Sequence, residues 1–287
     1  MKIFRNSTLD LFLVLYAMVA FALPFLIATY TPLLWWFILA PFQIVFAVIV
    51  MNTSMHHHMH VPIFRPKFLN RAYEIFISAA VGIPFHGWKY YHTIHHKHNN
   101  DFSVDGRTWD PVSFYRFGTE GKRENIWSYC FKGVLRDLSS ATNNDPDDTC
   151  HIKRGLNVTP ELRLENRAFH FYMICLAFVN VWYAVFYVFV YLLMLAANNA
   201  NSYGEHYGPV EQSNFRANSV GSYGKWYNIL CFNSGYHQEH HVRPSAHWTV
   251  LPTITSTLPT KRHTINTMYM FNGPWKSDLV DIIKGVK

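Results

Sequence analysis

Three clusters of histidine are the residues of this sequence whose types and spacing best suit a chemical role. They occupy residues 56–60 (His-His-His-Met-His), 92–96 and 237–241, and the last two share the sequence pattern H-x-x-H-H. Imidazole is a good ligand for iron, zinc and copper. Side chains three or four residues apart share one face of a helix, so each cluster can direct two or three ring nitrogens at one point. The spacing therefore predicts a metal centre rather than ordinary packing.

The individual ligands can be assigned by their helical positions. In the first cluster His56 and His60 stand at i and i+4, whereas His57 and His58 point elsewhere and are expected to be structural or to support the ligands. His206 lies at the exit of the last apolar stretch and is a further candidate, although a single histidine is more often structural. The predicted metal ligands are His56, His60, His92, His95, His96, His206, His237, His240 and His241.

Other polar residues can support these ligands from behind. A metal-bound imidazole usually donates its second ring N–H to an acceptor, which orients the ring. The candidates for this supporting role are Asn201, Glu205, Glu239, Asp105 and Asp110. For Glu239, Asp105 and Asp110, solvation at the protein surface is an equally good explanation.

The elements that position the histidines are predicted to be membrane helices. Only 15% of the 287 residues are charged and 50% are hydrophobic, whereas soluble domains carry about a quarter charged residues. No Asp, Glu, Lys or Arg occurs in 11–51 or in 168–200. A helix that crosses a bilayer needs about 20 apolar residues. The first stretch therefore fits two helices with a break near Thr31 and Pro32.

The second stretch fits either one long helix or two short ones that meet near Asn180. A single metal centre requires an even number of crossings, because only then do all the clusters face the same side. We therefore expect an all-α integral membrane protein with two transmembrane hairpins and a helical cytoplasmic cap, in one domain over 1–287. The predicted spans are 8–30, 33–55, 162–179 and 183–205, and the cytoplasmic parts are 56–161 and 206–287.

Charge and cysteine content narrow the class of protein. The net charge is +7, and the Lys and Arg residues lie outside the apolar stretches, a pattern that predicts cytoplasmic termini. No basic helix or RNA-binding signature accompanies the charge, so nucleic acid is not an expected partner. The four cysteines form no C-x-x-C pair, which argues against an iron–sulfur site and gives no support to a disulfide framework.

The order and spacing of the clusters resemble those of the integral-membrane fatty acid desaturase and hydroxylase superfamily. The pattern is H-x3-H, H-x2-H-H and H-x2-H-H around two apolar hairpins, and the flanks 110–113, 116–118 and 233–244 are also similar to the family. Residues 205–208 (Glu-His-Tyr-Gly) resemble an extra motif of bacterial alkane 1-monooxygenases. Relatives often have Asn four residues before that histidine, where this chain has Ser202, with Asn201 one residue further back.

The resemblance implies a non-haem di-iron centre, held almost wholly by histidine, that uses O2 to oxidise an unactivated C–H bond of a lipid. The favoured reaction is desaturation of a fatty acyl chain. The alternative is hydroxylation of an alkane, an acyl chain or another lipid, and a remote alternative is a non-catalytic metal transporter or store. A transporter would need ionisable residues inside its spans, whereas in this chain the histidine clusters gather at the ends of helices that are free of Asp, Glu, Lys and Arg.

Such an enzyme needs electrons from outside, because the sequence contains no haem, flavin or iron–sulfur signature. The expected donor is a ferredoxin, a rubredoxin or a cytochrome b5, working with its reductase. A small acidic carrier would dock on a basic surface. The residues predicted to form that surface are Lys122, Arg123, Lys153 and Arg154.

Overall fold

The computed structural model of the chain describes most of the sequence in helical form. The residues described are 3–99, 108–112, 125–139, 159–206, 219 and 221–255. Within these ranges the backbone forms eleven α-helices and no β-strand, apart from an isolated bridge between Phe4 and Phe64. The expected all-α class is therefore confirmed for the described part of the chain.

The helices of the described ranges are numbered in chain order. They are α1 (Asp10–Tyr30), α2 (Leu33–Val50), α3 (His56–His60), α4 (Lys67–Val81), α5 (Phe85–His98), α6 (Ile126–Ser139), α7 (Pro160–Val179), α8 (Val181–His206), α9 (Lys225–Leu230), α10 (His237–Val242) and α11 (Leu251–Ile254). A π-helical turn, Met51–Met55, joins α2 to α3, so that 33–60 is one continuous helix.

The chain divides into two compact units. The first unit consists of Met1–Lys89 and Asn157–Ala197, and the second of Tyr90–Leu156 and Asn198–Lys287. The first unit therefore contains the first histidine cluster and the long apolar helices. The second unit contains the other two clusters and His206.

Three helices of the described chain are long and apolar enough to cross a membrane. They are α1, the continuous helix Leu33–His60, and α8. Large apolar side chains on them, such as Phe37 and Trp182, are exposed, as expected of residues that contact lipid. The helix α7 is as long as α1 within one residue, but its first half carries Glu161, Arg163, Glu165 and Arg167.

Both predicted helix breaks are present. After α1 the backbone is extended at Thr31 (φ −121°, ψ 142°), and Pro32 cannot continue the hydrogen-bond ladder because it has no N–H. At Asn180 the backbone is again extended (φ −159°, ψ 104°). The side-chain oxygen of Asn180 accepts a hydrogen bond from the Tyr183 N–H at 3.1 Å, so this residue ends α7 and starts α8.

The core of the first unit is built from aromatic side chains with satisfied polar ends. Tyr172 and Tyr183 are almost fully buried. The Tyr172 hydroxyl donates to the carbonyl of Phe21 at 3.0 Å, and the Tyr183 hydroxyl donates to Gln43 Oε1 at 2.7 Å. Because a buried hydroxyl without a partner costs free energy, these bonds specify how α7 and α8 pack on α1 and α2.

Candidate metal centre

The first histidine cluster lies at the end of a membrane helix whose geometry changes just before it. The π-helical turn Met51–Met55 widens the helix, a distortion that is frequent at functional sites. Its position is held by Ser54, whose hydroxyl donates to the Leu13 carbonyl at 2.8 Å. On α3 the rings of His56 and His60 follow, with centroids 5.1 Å apart. The two predicted ligands therefore face the same side.

His58 faces the opposite side of α3 and is fixed by a hydrogen bond to its Nδ1 and by the packing of its ring. Its Nδ1 accepts a hydrogen bond from the Ile63 N–H at 3.2 Å, which leaves the proton of the neutral ring on Nε2. Nε2 lies 3.7 Å from Glu74 Oε1. The ring also packs against Tyr73 and Phe85, at centroid distances of 5.0 and 5.3 Å. His58 is thus an anchor and not a ligand.

The second cluster, on α5, directs its histidines to two sides of the helix. His92 and His96 point the same way, and their Nε2 atoms are 2.9 Å apart. His95 points away from them and is almost fully buried. Its Nδ1 lies 2.9 and 3.0 Å from the two carboxylate oxygens of Asp110. Since Asp110 can only accept, Nδ1 carries the proton and Nε2 keeps its lone pair.

The third cluster, on α10, is positioned by a tightly folded turn. Gly235 lies so close to the Ser222 carbonyl that a Cβ atom would be 2.1 Å from that oxygen. The Asn228 side chain closes the turn, because its amide donates to the Ser222 carbonyl at 2.7 Å and its oxygen accepts from the Gly235 N–H at 3.1 Å. Phe232 and Asn233 adopt positive φ values of 49° and 58°. The folded turn between Ser222 and Gly235 therefore sets the direction in which α10 begins.

Within the second unit the histidines of three helices form two groups. In the first group His96 Nε2 lies 2.9 Å from His92 Nε2 and 3.1 Å from His240 Nε2. This group therefore combines one helical face of α5 with α10. Its members are buried or half-buried.

The second group combines the opposite face of α5 with α8 and α10. His237 Nε2 lies 3.3 Å from His206 Nε2 and 3.1 Å from His241 Nε2. His95, His206 and His241 offer nitrogen atoms that all lie within 4.8 Å of one another, and all three are buried. His206 thus lies beside the second and third clusters, as expected from its place at the exit of the apolar stretch.

The spacing of these nitrogens fits a metal site. Two imidazole nitrogens bound to one divalent ion at about 2.1 Å, with angles between about 90° and 110°, lie about 3.0 to 3.4 Å apart. The four Nε2 separations of 2.9, 3.1, 3.3 and 3.1 Å are close to that range. Either group can therefore hold a metal ion with little rearrangement.

Burial keeps the imidazole of His241 neutral. The pKa of His241 lies well below 6.5, first because the ring is removed from water and second because His96, His237, His206 and His95 surround it. A neutral ring has a lone pair to offer a metal. Burial also raises the pKa of Cys231 to about 12, so this thiol stays protonated in the metal-free protein.

The supporting residues that the sequence suggested have different surroundings. Asp110 lies against His95, as described above. Glu205, one turn after Asn201 and in contact with it, has a carboxylate oxygen 3.8 Å from His237 Nε2. Glu239 is fully buried, but it accepts hydrogen bonds from the hydroxyls of Tyr223 (2.9 Å) and Thr255 (2.6 Å). Asp105 and the four residues of the predicted docking surface lie outside the described residues.

A further polar cluster was not singled out from the sequence. Glu74, His86 and Glu165 of the first unit offer ligand atoms within 4.8 Å of one another. Hydrogen bonds to His58 and Arg71 hold the pKa of Glu74 below its ordinary value, although burial works in the opposite direction. The one signal in the sequence was that Glu74 lies in the otherwise apolar segment 72–85.

Comparison with known proteins places the chain in a family. A model of the family described as fatty acid desaturase matches residues 30–271, which include all three histidine clusters and His206. Comparisons with curated proteins and with solved structures find no match. The family consists of non-haem di-iron oxidoreductases that act on fatty acids. Because the match covers most of its 287 residues, the chain belongs to the fatty acid desaturase family.

Proposed function

We propose that this protein is a membrane-bound di-iron enzyme that uses O2 to desaturate a fatty acyl chain. The observation that carries the proposal is the pair of histidine groups in the second unit, in a chain that belongs to this family. His92, His96 and His240 form one group, and His95, His206, His237 and His241 form the other. Two groups of nitrogen donors match two metal ions.

The donor set suits iron. Imidazole binds iron, zinc and copper, and the family uses two irons. The predicted ligands His56 and His60 belong to the first unit, and their part in the centre is a prediction from the sequence. Bound iron supplies the activation of O2 and the removal of hydrogen from an unactivated carbon. The protein chain holds and orients the ligands and excludes water from the site.

The protein chain fixes the tautomer of His95 and buries the proposed ligands away from water. Asp110 accepts the Nδ1 proton of His95 at 2.9 Å, so that Nε2 is the donor atom. Outer partners of this kind orient the ring and raise its basicity. His95, His206, His237, His240 and His241 are all buried. A dry site favours hydrogen removal from a lipid over the release of partly reduced oxygen.

The proposal includes a membrane topology. We place four spans, with α7 as the third, and put both termini and the histidine clusters on the cytoplasmic side. Three candidate spans alone would put the two ends of the apolar region on opposite sides of the membrane. The charged first half of α7 can be accommodated because Glu165 is paired with Arg71. Glycosylation mapping of inserted sites in the connection after α7 would test this arrangement, since four spans predict modification there.

Electrons are proposed to come from a small acidic carrier, such as a ferredoxin, a rubredoxin or a cytochrome b5, together with its reductase. The basic residues Lys122, Arg123, Lys153 and Arg154 support this idea through charge complementarity. Reversing these four charges should lower carrier-dependent turnover at low salt. Unchanged turnover would remove this surface from the proposal.

A second candidate reaction is hydroxylation. It is favoured by the carboxylate of Glu205, which lies beside His206 and His237 in the segment that resembles alkane monooxygenases. Desaturation and hydroxylation both begin with removal of one hydrogen atom. They differ in whether a second hydrogen leaves or an oxygen atom is returned to the carbon.

The products distinguish these reactions. The protein should be expressed with a matched reductase and carrier, and the lipids and hydrocarbons of the host analysed by mass spectrometry. Loss of two hydrogen atoms from an acyl chain supports desaturation, and gain of one oxygen atom supports hydroxylation. A His92→Ala, His96→Ala double variant is the control. No product, with zinc instead of iron in the purified protein, would favour a metal store or transporter.

A further inference from the structure

The cluster of Glu74, His86 and Glu165 has the spacing of a metal site, but a cation of the protein already occupies it. The guanidinium nitrogen Nη1 of Arg71 lies 3.2 Å from Glu74 Oε2, 3.2 Å from His86 Nδ1 and 2.5 Å from Glu165 Oε1. A metal ion cannot share that position with an arginine. The cluster is therefore an ion-pair network, and its role must be sought in what it connects.

At one end the network reaches the first histidine cluster. Glu74 lies on α4, with Oε1 3.7 Å from His58 Nε2 and Oε2 paired with Arg71. His58 is 1% exposed and also accepts the Ile63 N–H through Nδ1. α3 is the last turn of the continuous helix 33–60 and follows its π-helical segment, so the buried His58 ring fixes the rotation of this last turn. That rotation sets the direction of His56 and His60.

At the other end the network reaches the start of α5, the helix that carries the second histidine cluster. Glu165 of α7 is fully buried. It accepts the His86 backbone N–H at 3.0 Å and the His86 Nδ1–H at 2.6 Å. Arg71 also donates to the Glu161 carbonyl at 3.3 Å. One guanidinium therefore ties α4, α5 and α7 together within the first unit.

We propose that Glu74 is a positioning residue for the metal centre, which orients the ligands His56 and His60 by holding His58. The inference rests on the proposed function, because it takes His56 and His60 as ligands. Arg71 and Glu165 hold Glu74 in turn. The middle histidine of the first cluster is thus the attachment point through which the helical scaffold controls the outer two. This explains why a histidine that is not a ligand stands between two that are.

Metal titration tests the proposal without requiring turnover. The full-length protein, purified in detergent and stripped of metal, is titrated with Co2+ against a competing chelator and followed by visible absorption. Wild type should bind two equivalents, and His60→Ala should weaken one of them. We expect Glu74→Ala to weaken that same equivalent about 10-fold, the loss typical of partners behind metal ligands, and to leave the other unchanged.

Further variants separate positioning from general damage. His58→Phe keeps the ring that packs on Tyr73 and Phe85 but removes both nitrogen contacts, and it should reproduce the effect of Glu74→Ala. The double variant should be no weaker than either single one, because both changes break the same connection. Glu74→Gln should recover part of the affinity, since its oxygen can still accept from His58. Glu161→Ala, an exposed carboxylate on α7, is the matched control and should behave as wild type.

The outcomes are distinguishable. The inference is overturned if Glu74→Ala binds both equivalents like wild type, if it weakens both equally, or if its effect adds to that of His58→Phe. If Glu74→Ala does not fold, the comparison of His58→Phe with Glu74→Gln decides in the same way. If wild type binds no Co2+, or if His60→Ala has no effect, the proposed ligand set fails and the inference falls with it.

Discussion

The two units hold their histidines by opposite means. In the second unit seven histidines form two groups, and four pairs of Nε2 atoms within them lie about 3 Å apart, the spacing expected around a shared ion. In the first unit His58 lies 3.7 Å from the carboxylate of Glu74, which belongs to a network of ion pairs. Under the proposed function, the second unit gathers metal ligands, whereas the first unit holds the helix that carries His56 and His60.

This contrast has an energetic reason. In the second unit the pKa of His241 is lowered, first by burial and second by the histidines that surround it. Such a cluster is stabilised by the metal that it binds. The first unit, by comparison, is complete without metal, because Arg71 supplies the positive charge that Glu74 and Glu165 require.

The largest expected effect comes from removing ligands of the second unit. The double change His92→Ala and His96→Ala deletes two of the three members of one histidine group. We expect metal affinity at that position to fall by at least about 100-fold, because even partners behind the ligands are worth 10- to 100-fold. Chelator competition measures this loss. Activity should become undetectable, and near-wild-type activity in this variant would remove the group from the centre.

A smaller effect is expected from the partner of one ligand. Asp110→Asn keeps the size of the side chain but loses the carboxylate that accepts the His95 Nδ1–H. Metal affinity should fall about 10-fold or more, while the thermal midpoint of the metal-free protein changes little. Metal titration with a calorimeter tests this, with Asp110→Glu as the carboxylate-retaining control. Equal affinity in Asp110→Asn and wild type would show that the contact does not tune the ligand.

Acid should destabilise the metal-free second unit. The pKa of folded His241 lies below the 6.5 of an unfolded histidine, so the unfolded chain binds more protons between these two values. Stability that is fully present above pH 6.5 is therefore lost as the pH falls, by about 1.4 kcal/mol per pH unit and group.

Thermal unfolding of the metal-free protein from pH 8 to pH 5 measures this dependence. The midpoint should fall below pH 6.5, and bound metal should delay the fall because it excludes protons from the ring nitrogens. A midpoint that is constant or rises in acid would contradict the burial of neutral imidazoles. His241→Asn should flatten the profile.

The smallest effect is expected in the core of the first unit. Tyr183→Phe removes the hydroxyl that donates to Gln43 Oε1 at 2.7 Å and leaves the oxygen of Gln43 in an apolar surrounding. The cost to stability should be about 1 to 3 kcal/mol, with metal stoichiometry unchanged. A thermal scan together with metal analysis gives both values. Loss of metal in this variant would contradict the idea that metal binding is independent of this hydrogen bond in the first unit.

Much of the fold was predictable because apolar length and helix breakers are local properties. The absence of charge in 11–51, with Pro32 as an interruption, was enough to predict α1 and α2, whereas the division of 168–200 near Asn180 also required the argument that all the clusters face one side. The two faces of α5 also follow from helical spacing, which separates His95 from His92 and His96. These features depend only on neighbours in the chain.

The remaining features depend on contacts between distant segments. Nothing in the spacing of His58 indicates that Glu74 lies against it, or that the Arg71 of the same helix meets Glu165 from far along the chain. Glu239 stands between ligands in the sequence, yet its neighbours are the hydroxyls of Tyr223 and Thr255. Spacing can show which face a residue occupies but not what faces it.

The iron content of the purified protein tests the central idea most directly. The protein should be produced in iron-replete medium, purified without added metal, and analysed by mass spectrometry of its metals together with a protein assay by amino-acid analysis. We predict two irons per chain in wild type and about one or fewer in the His92→Ala, His96→Ala variant. Iron well below two per chain in folded wild type, or zinc in its place, would contradict a di-iron centre built from these histidines.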